Sequence, residues 1–190
     1  MGSFYTATLY PKENNQDVKN ILKGRNFYIC SKNDNYNLVT EKQMDCEQNT
    51  YVILNFVKEL SLKTHRPVIS YLIHDSDVLY FVIYKEGREI FLITNEDEYF
   101  SDGEFIQRET EDVPTVFGID EKEFHSEICK NKFEECIFAD DFLLSILKVL
   151  NLPCWCNGIG YNYLEDDEDF KNRLESNSIK IEHYKTPEGL

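Results

Sequence analysis

Residues 66–94 read RPVISYLIHDSDVLYFVIYKEGREIFLIT. Three apolar runs rich in Val, Ile, Tyr and Phe are separated by two short polar breaks. The breaks are His74-Asp75-Ser76-Asp77 and Lys85-Glu86-Gly87-Arg88. Runs of this length between turn residues are strands, and the second break is an ordinary hairpin turn. The middle run, residues 78–84, is apolar at odd and even positions alike. Both its faces must be covered, so it belongs in the interior of a sheet.

Upstream, residues 50–62 carry Val52, Ile53, Phe56, Val57 and Leu60 at i, i+3, i+4 spacing, which predicts an amphipathic helix. Residues 26–31 and 36–41 read as a strand pair around the turn at 32–35. Residues 14–23 read as a helix, with Asn14 or Asn15 capping its start and Gly24 ending it. Residues 3–10 alternate as a strand stopped by Pro11, and residues 42–49 read as a loop.

Downstream, residues 95–119 are polar and acidic and read as a long surface loop. Asp120 and Glu123 have capping-box spacing, with Phe124 and Ile128 facing inward. Residues 139–150 carry a strong buried stripe, residues 161–164 read as extended, and a last helix runs through Phe170 and Leu174. Residues 176–190 read as an edge strand or a tail. The whole is one α+β domain over residues 1–190. Its mainly antiparallel sheet has β-α-β-β-α-β-β-β order followed by C-terminal helices, packed mainly on one face. The first six elements follow the order of a split β-α-β unit.

A chain of 190 residues, 42% hydrophobic and 14% aromatic, has the material for one sizeable core. Its 35 acidic residues outnumber 20 basic ones, for a net charge of −15. That balance disfavours nucleic-acid backbones and anionic membranes, and it suits a protein partner with a basic surface. No basic-then-apolar leader and no membrane-length apolar run is visible, so a cytoplasmic protein is expected. The six cysteines, Cys30, Cys46, Cys129, Cys136, Cys154 and Cys156, are then expected as free thiols. Cys154-Trp155-Cys156 lacks the two-to-four-residue spacing of a zinc knuckle.

Some segments resemble a group of uncharacterised bacterial proteins. They are Met1-Gly2-Ser3 before the first strand, His74-Asp75-Ser76-Asp77-Val78-Leu79, Phe138-Ala139-Asp140, Leu152-Pro153, and Gly158-Ile159-Gly160-Tyr161-Asn162-Tyr163-Leu164. The resemblance spans most of the chain apart from the acidic loop. It implies one integral domain. The group has no assigned activity, so it transfers no catalytic residue.

The densest knot of chemistry is His74, Asp75 and Asp77. A His with two carboxylates can bind a divalent metal or act as acid and base. The same residues also suit a plain turn, with the aspartates bonding backbone amides. No further ligand stands at local spacing, so no metal or cofactor is expected. The run Glu165, Asp166, Asp167, Glu168, Asp169 lacks the alternating ligands and central Gly of a calcium loop, and reads as a solvated face at a helix start. Gly158-Ile159-Gly160 lacks the third Gly of a dinucleotide fingerprint. No P-loop, Gly-x-Ser-x-Gly elbow or His-Glu-x-x-His occurs. The expected function is a non-enzymatic acidic protein-binding module, of immunity or inhibitor type, that neutralises a basic toxin or nuclease. The alternative is a small-molecule- or metal-binding enzyme with a site near His74, Asp75 and Asp77, which a deep pocket holding His74, a carboxylate and Tyr161 would favour. A homodimeric regulatory module is a third reading.

Overall fold

The computed structural model describes residues 2–96 and 102–186. The chain opens with β1 (Tyr5–Pro11), a short 3-10 turn at Lys12–Asn14, and α1 (Asn15–Ile21). Val18 anchors α1 in the core. Asn14 holds the N-cap position but its side chain does not cap the helix; its Nδ2 donates to Asp17 instead. Asn15 Oδ1 accepts from the Tyr10 hydroxyl and from Asn37 Nδ2. The strand pair is β2 (Phe27–Ser31) and β3 (Tyr36–Glu41).

The expected loop at 42–49 contains a helix, α2 (Lys42–Glu47). Its start is held by Glu41, whose carboxylate accepts from Met44 N at 3.0 Å. Then comes α3 (Thr50–Thr64), capped by Asn49 Oδ1, which accepts from the Tyr51 and Val52 amides. The quoted stretch forms β4 (Val68–His74), β5 (Val78–Lys85) and β6 (Arg88–Glu96).

The expected loop at 95–119 is also corrected. It contains β7 (Asp102–Glu109) and α4 (Val113–Phe117). Asp97 and Glu98 of its first acidic cluster lie outside the described residues. Four helices follow, α5 (Glu121–Glu127), α6 (Lys130–Glu135), α7 (Ala139–Val149) and, after a 3-10 turn at Cys154–Cys156, α8 (Tyr161–Asp166). Asp120 Oδ1 accepts from Glu123 N at 2.8 Å, as the spacing predicts. Residues 161–164 are helical, not extended. The chain ends in α9 (Glu168–Ser176) and β8 (Lys180–Tyr184), an edge strand; Met1 and residues 187–190 lie outside the described residues.

The sheet is antiparallel throughout, in the order β7-β6-β5-β4-β1-β3-β2-β8. At its centre stands 4-1-3-2. β3 lies between β1 and β2, and β1 lies between β4 and β3, each antiparallel to its neighbours. These are two interlocked split β-α-β units, the ferredoxin-like arrangement. β5, β6 and β7 extend one edge as successive hairpins, and β8 closes the other edge on β2.

Strand alternation divides the core in two. On one face Val68, Leu72 and Val82 pack with Val18 of α1, Leu22 at its C-terminal end, and Ile53, Phe56, Val57 and Leu60 of α3. On the other, Tyr5, Tyr71, Ile73, Phe81 and Phe91 pack with Phe124, Phe142, Leu143, Ile146 and Leu164 of the C-terminal helices. Helices therefore cover both faces, where the sequence predicted mainly one. The all-apolar β5 requires that arrangement.

Candidate functional site

The break at 74–77 closes the β4–β5 hairpin. Asp75 and Ser76 have φ of +50° and +64°, the two positive values a primed turn needs. Asp77 N donates to His74 O. The residues that hold the turn are Ser76 and Asn95, where the sequence assigned that work to the aspartates. Ser76 Oγ accepts from Ser3 N at 2.6 Å. Ser76 N donates to Ser3 O, and Ala139 N donates to Ser76 O at 2.7 Å. Ser76 thus clips the N-terminal segment and the start of α7 to one turn. Asn95 accepts from Leu79 N and donates to Asp77 O. The close approach also fixes Gly2, since a Cβ there would lie 2.2 Å from Asp75 Oδ1.

The predicted constellation does not converge. Asp75 is exposed, and His74 and Asp77 line different clefts on either side of the turn. His74 lines a cleft of about 340 Å³ with Phe4, Asp45, Cys46, Gln48 and Asn162 among its walls. Gln48 Nε2 donates to Ile73 O at 2.9 Å, which turns its oxygen toward His74 Nδ1 at 2.6 Å. That network assigns the ring proton to Nδ1. The Phe4 ring packs edge-on at 4.7 Å. Asp77 lines a second cleft of about 370 Å³, with Phe105, Phe133, Ile137 and Phe138. Among the described residues no group of three His, Cys, Asp or Glu side chains is placed to hold a metal ion.

Sequence reasoning missed Asp45, on the helix read as a loop. It is 3% exposed. Its Oδ1 accepts from Thr6 N at 2.6 Å and its Oδ2 from Asn162 N at 3.0 Å. Burial pushes its carboxyl up to about 6, against the opposing pull of backbone bonds from Asn162, Thr6 and Tyr161. Asp45 therefore caps α8 from another element. Gly160 makes room: a Cβ there would meet Tyr5 Cβ at 2.6 Å and Asp45 Oδ1 at 3.0 Å. The Gly158-Ile159-Gly160 passage was visible in the sequence, but its carboxylate partner, over a hundred residues upstream, was not.

Tyr161 is buried and lines no cleft with His74; its neighbour Asn162 does. Tyr161 instead joins Tyr28, His183 and Glu165. Its ring stands 5.2 Å from Tyr28, which stacks on His183 at 3.9 Å. The Tyr28 hydroxyl donates to Glu165 Oε2 at 2.5 Å and holds that carboxyl below its usual range. Burial lowers the pKa of His183, whose Nε2 lies 3.8 Å from the same oxygen. Asp166, Asp167, Glu168 and Asp169 are exposed, and Asp167 Oδ1 caps α9 by accepting from Phe170 N.

Charge is unevenly divided between the two helical layers. Residues 113–176, which build the C-terminal layer, carry 14 Asp and Glu against 6 Lys and Arg. Residues 15–64, which include α1 to α3, carry 6 against 7. Among the described residues no helix is long and apolar enough to cross a membrane. Comparison with protein-family models, with curated proteins and with solved structures finds no match to this chain.

Proposed function

We propose that the chain is an acidic protein-binding module whose C-terminal helical layer docks a partner with a basic face. The observation that carries this reading is the segregation of charge. An acidity meant only for solubility has no reason to leave one layer neutral and load the other. The exposed run from Glu165 to Asp169 sits at the edge of that layer, where it can steer an approaching cation-rich surface. In its concrete form the protein is of immunity or inhibitor type and neutralises a basic toxin or nuclease.

The test recovers a partner by affinity capture from the source cells. It then compares association rates of the parent and of a Glu165→Gln, Asp166→Asn, Asp167→Asn, Glu168→Gln variant across a salt series. The variant is expected to associate several-fold more slowly at low salt and with a flatter salt slope. Identical rates and slopes would remove this run from the interface and overturn the charge-steered docking reading.

A second reading rests on the His74 cleft, where an oriented imidazole shares the walls with the exposed thiol of Cys46 and the carboxyl of Asp45. A small ligand whose binding is abolished by His74→Ala, with no macromolecular partner recovered, would favour it.

A further inference from the structure

We infer that the cleft between α6 and β7 is where a basic protein partner inserts an apolar side chain between Lys or Arg residues. The inference rests on the acidic-docking reading and adds to it the anchor point.

The sequence places Ile137 and Phe138 side by side at the α6–α7 junction, and they are 80% and 51% exposed. Water-facing apolar side chains are ordinary when scattered and informative when they share a patch. Tyr51 and Leu62 are also exposed, but stand eleven residues apart on α3, about 16 Å along the helix. Ile137 and Phe138 instead flank one cleft. Its floor is built from Phe105 on β7 and Phe133 on α6, with ring centroids 5.3 Å apart. Both rings rest on the fully buried Phe142 of α7, at 6.2 and 5.3 Å. The floor is therefore fixed by the core before any partner arrives, which lowers the ordering cost of binding.

The rim decides the partner. Asp77, Glu104 and Glu134 stand on it, with Lys130 as the one described cation among the lining residues. The Lys130 ammonium lies 3.7 Å from Glu134, so these two charges answer each other and Asp77 and Glu104 carry the rim's net negative charge. Asp141 is exposed on the next helix. An apolar floor inside an acidic rim repels nucleic acid and acidic peptides, and matches an apolar side chain flanked by cations. At about 370 Å³ the cleft lies near the small end of ligand pockets, suited to a side chain more than to a large cofactor. An anchor seated in a desolvated pocket and ringed by polar contacts is the usual form of an interface hot spot.

The test uses the full chain and three labelled synthetic peptides. One is a Lys/Leu amphipathic helix, one the same peptide with Leu replaced by Ser, and one a Glu/Leu counterpart. Affinities are read by fluorescence anisotropy for the parent, for an Ile137→Ser, Phe138→Ser variant, and for the neutralised 165–168 variant. Both apolar substitutions fall on exposed positions, so melting should stay within a degree or two of the parent. The expected result is that only the Lys/Leu peptide binds, and that the apolar substitutions weaken it at least fivefold. A smaller loss in that variant overturns the inference. If neutralising residues 165–168 weakens binding while the apolar substitutions do not, the docking reading stands and the anchor falls. Failure of the parent to bind the Lys/Leu peptide overturns the anchor alone. Failure of charge neutralisation to alter association with the captured partner overturns the docking reading.

Discussion

A single carboxyl, Asp45, holds β1 and α8 in place, and its titration is readable as stability. Burial raises it from 3.8 to about 6 in the folded chain. Between those values the folded state binds more protons than the unfolded one. The contribution is fully present below about pH 3.8 and is lost as pH rises through 6. At 1.36 kcal/mol per unit this amounts to roughly 3 kcal/mol. Urea unfolding of the parent between pH 4 and 7 should contain this falling component, and Asp45→Asn should lack it. Equal pH slopes in parent and variant would show that Asp45 titrates as a solvated carboxyl. None of this was legible locally. Asp45 sits in Lys-Gln-Met-Asp-Cys-Glu, where Met44 is the one long apolar side chain and no helical stripe forms. The same gap explains α8. Its N-terminal amides are satisfied by a residue from α2, so its own sequence carries no cap and reads as extended.

At the scale of elements, legibility follows burial. The interior strands and the long helices were visible because their apolar period is imposed by two cores. β7 was not, since it is an outer strand and Phe105 and Ile106 are its two large apolar residues. The His74-Asp75-Ser76-Asp77 break lies where the sequence puts it, and the primed turn sends the His74 and Asp77 side chains into different clefts. β5 gives the sharpest check. Val82 is wholly buried, between β4 and β6 and against the α3 face. Val82→Asp would bury a carboxylate with no partner, at a cost of about 3–5 kcal/mol. Thermal melting should fall by many degrees, and a variant melting within two degrees of the parent would remove β5 from the interior.

The whole molecule is two helical layers sharing one sheet, and its thiols report whether the layers separate. All six cysteines are free. Cys46 and Cys154 are exposed, whereas Cys30 on β2 and Cys156 before α8 are buried between the sheet and the C-terminal layer. Burial pushes the Cys30 thiol up to about 12 and raises Cys156 well above its ordinary value, so neither forms a reactive thiolate in the folded chain. Buried phenols tie that layer down. The Tyr71 hydroxyl donates to Cys156 O at 2.9 Å, and the Tyr5 hydroxyl donates to Asp140 Oδ1 at 2.7 Å. Breaking these contacts bares one apolar face of the sheet, including Phe81 and Phe91. A sheet stripped on one face has no remaining core there, so the layer should not leave before the fold as a whole. In a urea series, labelling of Cys30 and Cys156 should track the far-ultraviolet circular dichroism transition, while Cys46 and Cys154 react throughout. Labelling of the buried pair at urea concentrations below that transition would show the C-terminal layer peeling away as a separate unit. The acidic layer would then be a mobile unit instead of a rigid face.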